Sequence, residues 1–252
     1  MPGAATTPTP GMTPLLDVVF SSADLLVVNK PAGLVCHPTK GDETSSLIGR
    51  VRLWLGHGEG RLVNRLDRET SGLVVIATSA EVARTLGALF GGHAVTKTYE
   101  AIVHGHPAWE QTTIDAPIGP AVDSAVAIKG AVVTDGASAQ THVEVLARFE
   151  REGRPFTHVR VTPRTGRKHQ IRIHLAWAGH PLVGDKIYGD DETRYLRFVV
   201  GAMTPEDVEA LMLPQHALHA GLLAWDWQGA HVQCEAPQPA MFQAFLARPF
   251  IA

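Results

Sequence analysis

The feature that most constrains this chain is an unbroken apolar run, Leu73-Val74-Val75-Ile76-Ala77. It rises directly out of a polar knot, Arg65-Leu66-Asp67-Arg68-Glu69-Thr70-Ser71-Gly72. Two valines and an isoleucine in five consecutive apolar positions read as a strand buried in a core. A surface turn has no need of two arginines and two acids beside such a strand. An apolar strand leaving this turn would instead hold the Asp67 carboxylate rigidly at the mouth of a cleft. Arg65 and Arg68 flank it, and a nearby cation favours the charged form of an acid. An ionised, oriented carboxylate suits a nucleophile or a base. The plainer alternative is an aspartate that caps a turn and pairs with a neighbouring arginine, since structural ion pairs are common.

Around this stretch the pattern alternates between strands and helices. Residues 15–20 and 25–29 are short β-type runs separated by a turn. Leu47, Ile48, Val51 and Leu55 share one face of a helix over 44–55. Ser79 is placed to cap a helix over 80–90 that Gly91-Gly92 ends. Residues 95–103 alternate as a strand, and 106–136 read as hairpins and loops. Two strands, 139–149 and 155–161, flank a charged turn. A helix over 168–178 ends at Gly179 with Pro181 beyond it. Its buried stripe is Ile171, Leu175 and Ala178, and its spacing puts His169 and Arg172 on one face. Thr204, Pro205 and Asp207 open a further helix over 204–213 with an imperfect capping box. A short helical piece follows over 241–246.

A chain of 252 residues makes one large domain or two small ones. Its 45% hydrophobic content fits a soluble globular protein. No apolar run approaches a membrane span. Residues 1–14, rich in Pro, Thr, Ala and Gly, lack the basic and apolar regions of a secretory signal and read as a flexible tail. Cys36 and Cys234 are the only cysteines. They make no disulfide framework, which points to a reduced cytoplasmic protein, and no four-ligand zinc site. The net charge is −3, yet residues 148–172 hold eight of the 22 lysines and arginines against only Glu150 and Glu152. Such a segment is either a polyanion site of limited size or a solvated charged face.

Several stretches resemble one family. Arg65 to Gly72 resembles the catalytic motif of the RluA-type RNA pseudouridine synthases, His-Arg-Leu-Asp-x-x-Thr-Ser-Gly, with Asn64 where the family has His. Asn29 to Pro38 resembles the family's Asn-Lys-Pro-x-Gly-Leu-x-x-His-Pro element, which packs beside the active site. Lys97-Thr98-Tyr99-Glu100-Ala101 resembles its Lys-x-Tyr-x-Ala element. On residues alone Tyr99 reads as a strand tyrosine with its hydroxyl bonded in the core. Thr165 to Gly189 resembles the Thr-Gly-Arg-x-His-Gln-Ile-Arg-x-His…Gly-His-Pro…Gly-Asp…Tyr-Gly block almost throughout, and Leu218-His219-Ala220 resembles a late strand.

The resemblance implies an α+β fold, a large, mainly antiparallel β-sheet flanked by helices and loops. It implies a single catalytic domain over 15–252 with no S4-like RNA-binding domain before it. The implied activity is isomerisation of uridine to pseudouridine in ribosomal RNA, transfer RNA or both, without cofactor or metal. With its two cysteines and no membrane-length apolar run, the chain is expected to be a cytoplasmic monomer with no membrane partner. Asp67 would attack C1′ or remove a ribose proton. Arg172 would pair with it, Arg167 being the competing candidate, and Tyr99 would lie against the uracil. The target base must be flipped out of its stack, and Arg65 would fill the vacated space. Arg164, Arg167 and Lys168 would hold phosphates, with Lys97, His169 and Gln170 completing the RNA-contacting set. The family's His at position 64 is not the nucleophile, so Asn64 bears on how the loop is pinned and which RNA fits. Two other classes compete. One is an N-glycosidic hydrolase, which needs a second carboxylate, Glu69 being the nearest. The other is a catalytically idle RNA-binding module.

Overall fold

The computed structural model describes residues 15–38, 42–56 and 58–247. The tail expected over 1–14 lies outside them. Among the described residues ten strands form one sheet. Its first part holds β1 (Val18–Ser21), β2 (Leu25–Lys30), β3 (Arg61–Leu62) and β4 (Ser71–Ala77). The second part holds β5 (Thr96–His104), β6 (Gln111–Asp115), β9 (Gln140–Arg151), β10 (Arg154–Pro163), β11 (Leu218–Trp227) and β12 (Ala230–Glu235). The remaining strands, β7 (Ile118–Pro120) and β8 (Gly130–Val132), make a separate hairpin. The main sheet runs β1-β2-β4-β11-β5-β10-β9-β6, with β3 on β4 and β12 on β11. Its pairings are antiparallel except at the centre, where β4 meets β11 in parallel through Ser71–His219 and Gly72–Ala220.

β4 is buried along its whole length because both faces are covered. Val74 and Ile76 point into a cluster with Leu47, Ile48 and Val51 of α1 (Leu47–Leu55). Leu73, Val75 and Ala77 point the other way, into a cluster with Leu86 of α2 (Ala80–Gly91), Trp225 and Cys234. The unbroken apolar run is what a two-sided strand requires. In the second half of the sheet, α3 (Gln170–Trp177) packs Ile171 and Leu175 on Val143, Val159 and Val161. Between Tyr188 and the C-terminal helix lie α4 (Thr193–Val199) and α5 (Pro205–Leu211). That last helix, α6 (Ala240–Ala247), packs Phe242 and Phe245 against Phe156.

Three boundaries differ from the sequence expectation. The helix expected from 44 begins at Leu47, after a 3-10 turn at Glu43–Ser45. Val35 and Cys36 accept its first two N–H groups through their carbonyls, and the Ser46 hydroxyl caps Gly49. The helix expected from 168 begins at Gln170, because His169 sits in the left-handed region at φ +56°. It is also not amphipathic. Gln170 through Leu175 are all buried, since Ile173 packs on Ile118, Val126 and Tyr188 opposite the sheet. The strands around the charged turn extend into a long hairpin that needs only Glu152 and Gly153, both at positive φ, to reverse.

Candidate active site

The Asp67 turn is tied down from several sides. Asn64 accepts the Val75 N–H at 2.8 Å and donates to the Leu73 carbonyl at 3.3 Å, so it pins the incoming strand to β4. The Cys36 thiol takes the Leu66 N–H and donates to the Leu66 carbonyl, both at 3.4 Å. The Arg68 carbonyl accepts the Gly33 N–H at 2.8 Å and the Lys30 ammonium at 3.2 Å. Lys30 is fully buried and also donates to the Pro31 and Leu34 carbonyls; burial pulls it down to about 8. The element from 29 to 38 therefore does lie beside the turn. On the exit side, Thr70 bonds His216 Nε2 at 2.7 Å and Ser71 bonds His219 Nδ1 at 2.9 Å. Gly72 completes the seam. Its φ is +111°, and a Cβ there would fall on the backbone of Ala220, so only glycine fits.

Arg172 reaches Asp67 from α3, its Nη1 donating to Oδ2 at 2.9 Å. The other edge of the same guanidinium is taken by Asp185, with Nε to Oδ2 at 2.7 Å and Nη2 to Oδ1 at 2.8 Å. The Tyr188 ring lies 4.9 Å beneath it. The side chain of Asp67 is 28% exposed while Arg172 and Asp185 are at 6% and 0%, so Asp67 is the member of the trio that faces the cleft. Burial pushes the Asp67 carboxyl up, but Arg172, with His169 and His216, outweighs it and holds the group below the usual carboxylate range. Burial drives His169 itself down to about 4 and His216 to about 3, so both are neutral near pH 7. Arg172 is therefore the cation that keeps Asp67 ionised there. Burial works against the charge of Asp185 too, and Arg172 reverses it, holding that carboxyl far below its normal value.

This corrects the expectation that the flanking arginines hold Asp67. Arg68 turns away, donating to the Gly33 carbonyl at 3.2 Å and lying over Phe198. Arg65 is exposed on the cavity wall. The competing partner Arg167 donates to the Ser138 carbonyl at 3.0 Å.

Asp67 lies in a cavity of about 590 Å³ whose wall includes Asn64, Arg65, Phe90, Lys97, Tyr99, Arg167 and His169. Tyr99 is half-buried at the junction of the two clusters on that side of the sheet, and burial pushes its hydroxyl up to about 12. It lines the cavity, unlike the expected core tyrosine. Lys97 stands 5.9 Å from the Phe90 ring, and burial pulls its ammonium below the usual lysine value. Arg164 and Lys168 are exposed but stand outside the cavity lining. Gln170 is occupied inside the protein. Its oxygen accepts the Thr165 hydroxyl and the Arg167 N–H, and its nitrogen donates to Gln140 and Thr141, all within 3.0 Å. It shapes the 165–167 loop and has no group left to offer RNA. His169 bonds the Tyr188 hydroxyl at 2.9 Å through Nδ1, and its Nε2 lies 3.7 Å from Asp67.

The basic segment over 148–172 does not act as one surface. Arg148 pairs with Glu110 and Arg160 with Glu144, while Arg151 covers Phe245. By register Arg148 lies on one face of the β9–β10 hairpin, while Arg151, Arg154 and Arg160 share the other. Glu69, the nearest second carboxylate, does not line the cavity; Lys186 binds it at 2.7 Å beside His216. Asp185, Tyr188, Lys186 and His216 were not singled out from sequence. The first two stood in the sequence only within the Gly-Asp and Tyr-Gly pairs of the family block. Among the described residues no group of three or more His, Cys, Asp or Glu side chains is placed to hold a metal ion. No described helix is long and apolar enough to cross a membrane.

Comparison with solved structures gives the class of protein. The human RNA pseudouridylate synthase domain-containing protein 1 matches with a TM-score of 0.71 and 28% identity, over 90% of this chain and 87% of that one. The human domain-containing protein 4 matches at 0.70 and 26%, over 91% of each. The fold is thus that of an RNA pseudouridylate synthase. In sequence, the ribosomal large subunit pseudouridine synthase D of Pseudomonas aeruginosa is 37% identical over 235 residues, 90% of this chain and 69% of that one. An uncharacterised RNA pseudouridine synthase of Bacillus subtilis is 36% identical over 89% and 69%. The RNA pseudouridylate synthase model matches residues 24–177, and the chain belongs to that family. It is an isomerase acting on RNA, and it converts uridine to pseudouridine.

Proposed function

We propose that the chain isomerises specific uridines of structured RNA, with large-subunit ribosomal RNA as the target and Asp67 as the reacting carboxylate. The observation that carries this reading is the ionised, cleft-facing Asp67 held at 2.9 Å by a buried arginine. The reaction breaks N1–C1′, turns the uracil and joins C5 to C1′. A proton leaves C5 and one is returned to N1. Nothing is oxidised and no group is added, so the chemistry asks for no cofactor or metal. Asp67 starts it at the ribose, at C1′ or at a ribose proton; either requires the charged form. Arg172 supplies that charge state. Tyr99, protonated at neutral pH, lies against the uracil.

A cavity of this size suits one flipped nucleotide. Arg65, exposed on its wall, fills the place the base leaves. Lys97 and Arg167 take phosphates at the cavity, Arg164 and Lys168 take those flanking it, and His169 orders the wall beside Asp67. The protein works as a monomer in the cytoplasm, with residues 15–252 as one catalytic domain. The ribosomal target is supported by similarity to the ribosomal large subunit pseudouridine synthases D of Pseudomonas aeruginosa and Zymomonas mobilis, the latter 33% identical over 90% of this chain and 71% of that one. A pseudouridine map of cellular RNA with and without the protein tests it. The expected result is loss of pseudouridine at a large-subunit site. Loss confined to transfer RNA would overturn the target.

A further inference from the structure

Arg172 faces two carboxylates, and the division between them is unequal. Asp185 takes the Nε and Nη2 edge in two short contacts, leaving Nη1 for Asp67. Asp185 is itself immobilised. Its Oδ1 accepts the N–H groups of Ile187 and Tyr188 at 2.9 and 3.1 Å, and its side chain has no exposure. A two-pronged contact fixes the plane of a guanidinium, whereas a single N–H does not. The aim of Nη1 is therefore set from behind, by a residue that touches neither the cavity nor the RNA.

We infer that Asp185 is a positioning residue for the reaction: by holding the rear edge of Arg172 and sharing its charge, it offers Asp67 one fixed N–H and leaves the second Asp67 oxygen free toward the ribose. Without Asp185, Arg172 would be free to clamp Asp67 through both nitrogens, and its whole charge would fall on that carboxylate. Such a carboxylate is a weaker base and a weaker nucleophile. The inference rests on the reading of Asp67 as the reacting group. The other titratable groups that feel Asp67 are Lys30, Cys36, Tyr99, His169, Tyr188 and His216. Asp185 also raises His169, Tyr188 and His216, so its removal lowers all three and leaves both histidines neutral further into acid.

The test uses the full chain and RNA labelled with tritium at uridine C5, isolated from cells that lack the protein. Tritium release under single-turnover conditions is followed across the acidic limb of the pH–rate profile. Asp185→Asn keeps the shape and an oxygen for the two backbone N–H groups but removes the charge. The acidic limb should move down by about one pH unit, because loss of a nearby negative charge favours ionised Asp67. The plateau rate should fall while RNA affinity stays unchanged. Arg172→Ala moves the same limb in the opposite direction, a contrast that general loosening of the fold does not produce. A limb that stays put or moves up in Asp185→Asn overturns the inference. Should that variant not fold, the crystal structure of Asp67→Ala decides. Arg172 is expected to keep both contacts with Asp185, and a guanidinium that swings away from Asp185 refutes its positioning role. Tritium release by Asp67→Asn at the wild-type rate would instead strike at the reading beneath.

Discussion

Arg172 and Asp67 are 105 residues apart in the chain and meet at 2.9 Å across the seam of the sheet. The arginine belongs to a helix packed on the second half of the sheet. The aspartate belongs to a turn rooted in the first. The parallel joint of β4 with β11 at Ser71 and Gly72 brings the halves together. Asp67 sits four residues before that joint, so the pair depends on the joint keeping its register.

Removing the arginine should therefore act on stability and on pH dependence together. Arg172→Ala leaves Asp185 as a fully buried carboxylate without its cation, which should cost about 3–5 kcal/mol. Asp67 and Asp185 both have carboxyls held below their unfolded values. The stability they contribute is present above about pH 4 and lost as pH falls through the folded values. In Arg172→Ala the acid-unfolding midpoint should rise, as should the acidic limb of the activity of the folded fraction. Arg172→Lys should restore only part, because one ammonium cannot serve both carboxylates. Acid titration by circular dichroism and a pH–rate series check this. A limb that moves for Arg167→Ala and stays in Arg172→Ala would exchange their roles.

Asp67→Asn should end tritium release from C5-labelled RNA while preserving the melting temperature within a few degrees. The amide keeps the size and an acceptor for Arg172 but has no charge with which to react. RNA binding should survive, since Arg65, Lys97 and Arg167 are untouched. Retention of the wild-type rate would remove Asp67 from the mechanism.

Arg164→Ala with Lys168→Ala should weaken RNA binding and flatten its dependence on salt, each lost phosphate contact lowering the slope by about one unit. Both side chains are exposed, so the fold should be unaffected. Arg148→Ala with Arg160→Ala serves as the control. These arginines pair with Glu110 and Glu144, and their loss should leave the slope unchanged. Equal slopes for all three proteins would mean that 164–168 faces solvent alone.

Gly72→Ala should prevent stable folding. Alanine at φ +111° is strained, and its methyl would meet the Ala220 backbone in the middle of the sheet. Soluble yield and thermal melting report it directly. A folded, active variant would show that the seam can open.

Local information carried much of the fold. The five apolar residues after Gly72 require a strand covered on both faces, whatever covers them. Ser79 and Gly92 bound a helix through caps made within its own turns, and Thr204 with Asp207 completes its box in the same way. The pattern around Asp67 marked a turn that the fold places on the cavity wall. The partner of that aspartate was not legible from the residues, because it is set by distance in space. Charges next to Asp67 in sequence leave it, while a cation from the far half of the sheet arrives. The same holds for Gln170, whose polar side chain is consumed by the start of β9 and the 165–167 loop, and for the basic run over 148–172, whose arginines are divided between the two faces of a hairpin and engaged by Glu110, Glu144 and Phe245. Asp185 carries no local sign of its role. Its place behind Arg172 exists only once β4 and β11 have joined, when low-dielectric packing makes the division of one guanidinium between two carboxylates decisive.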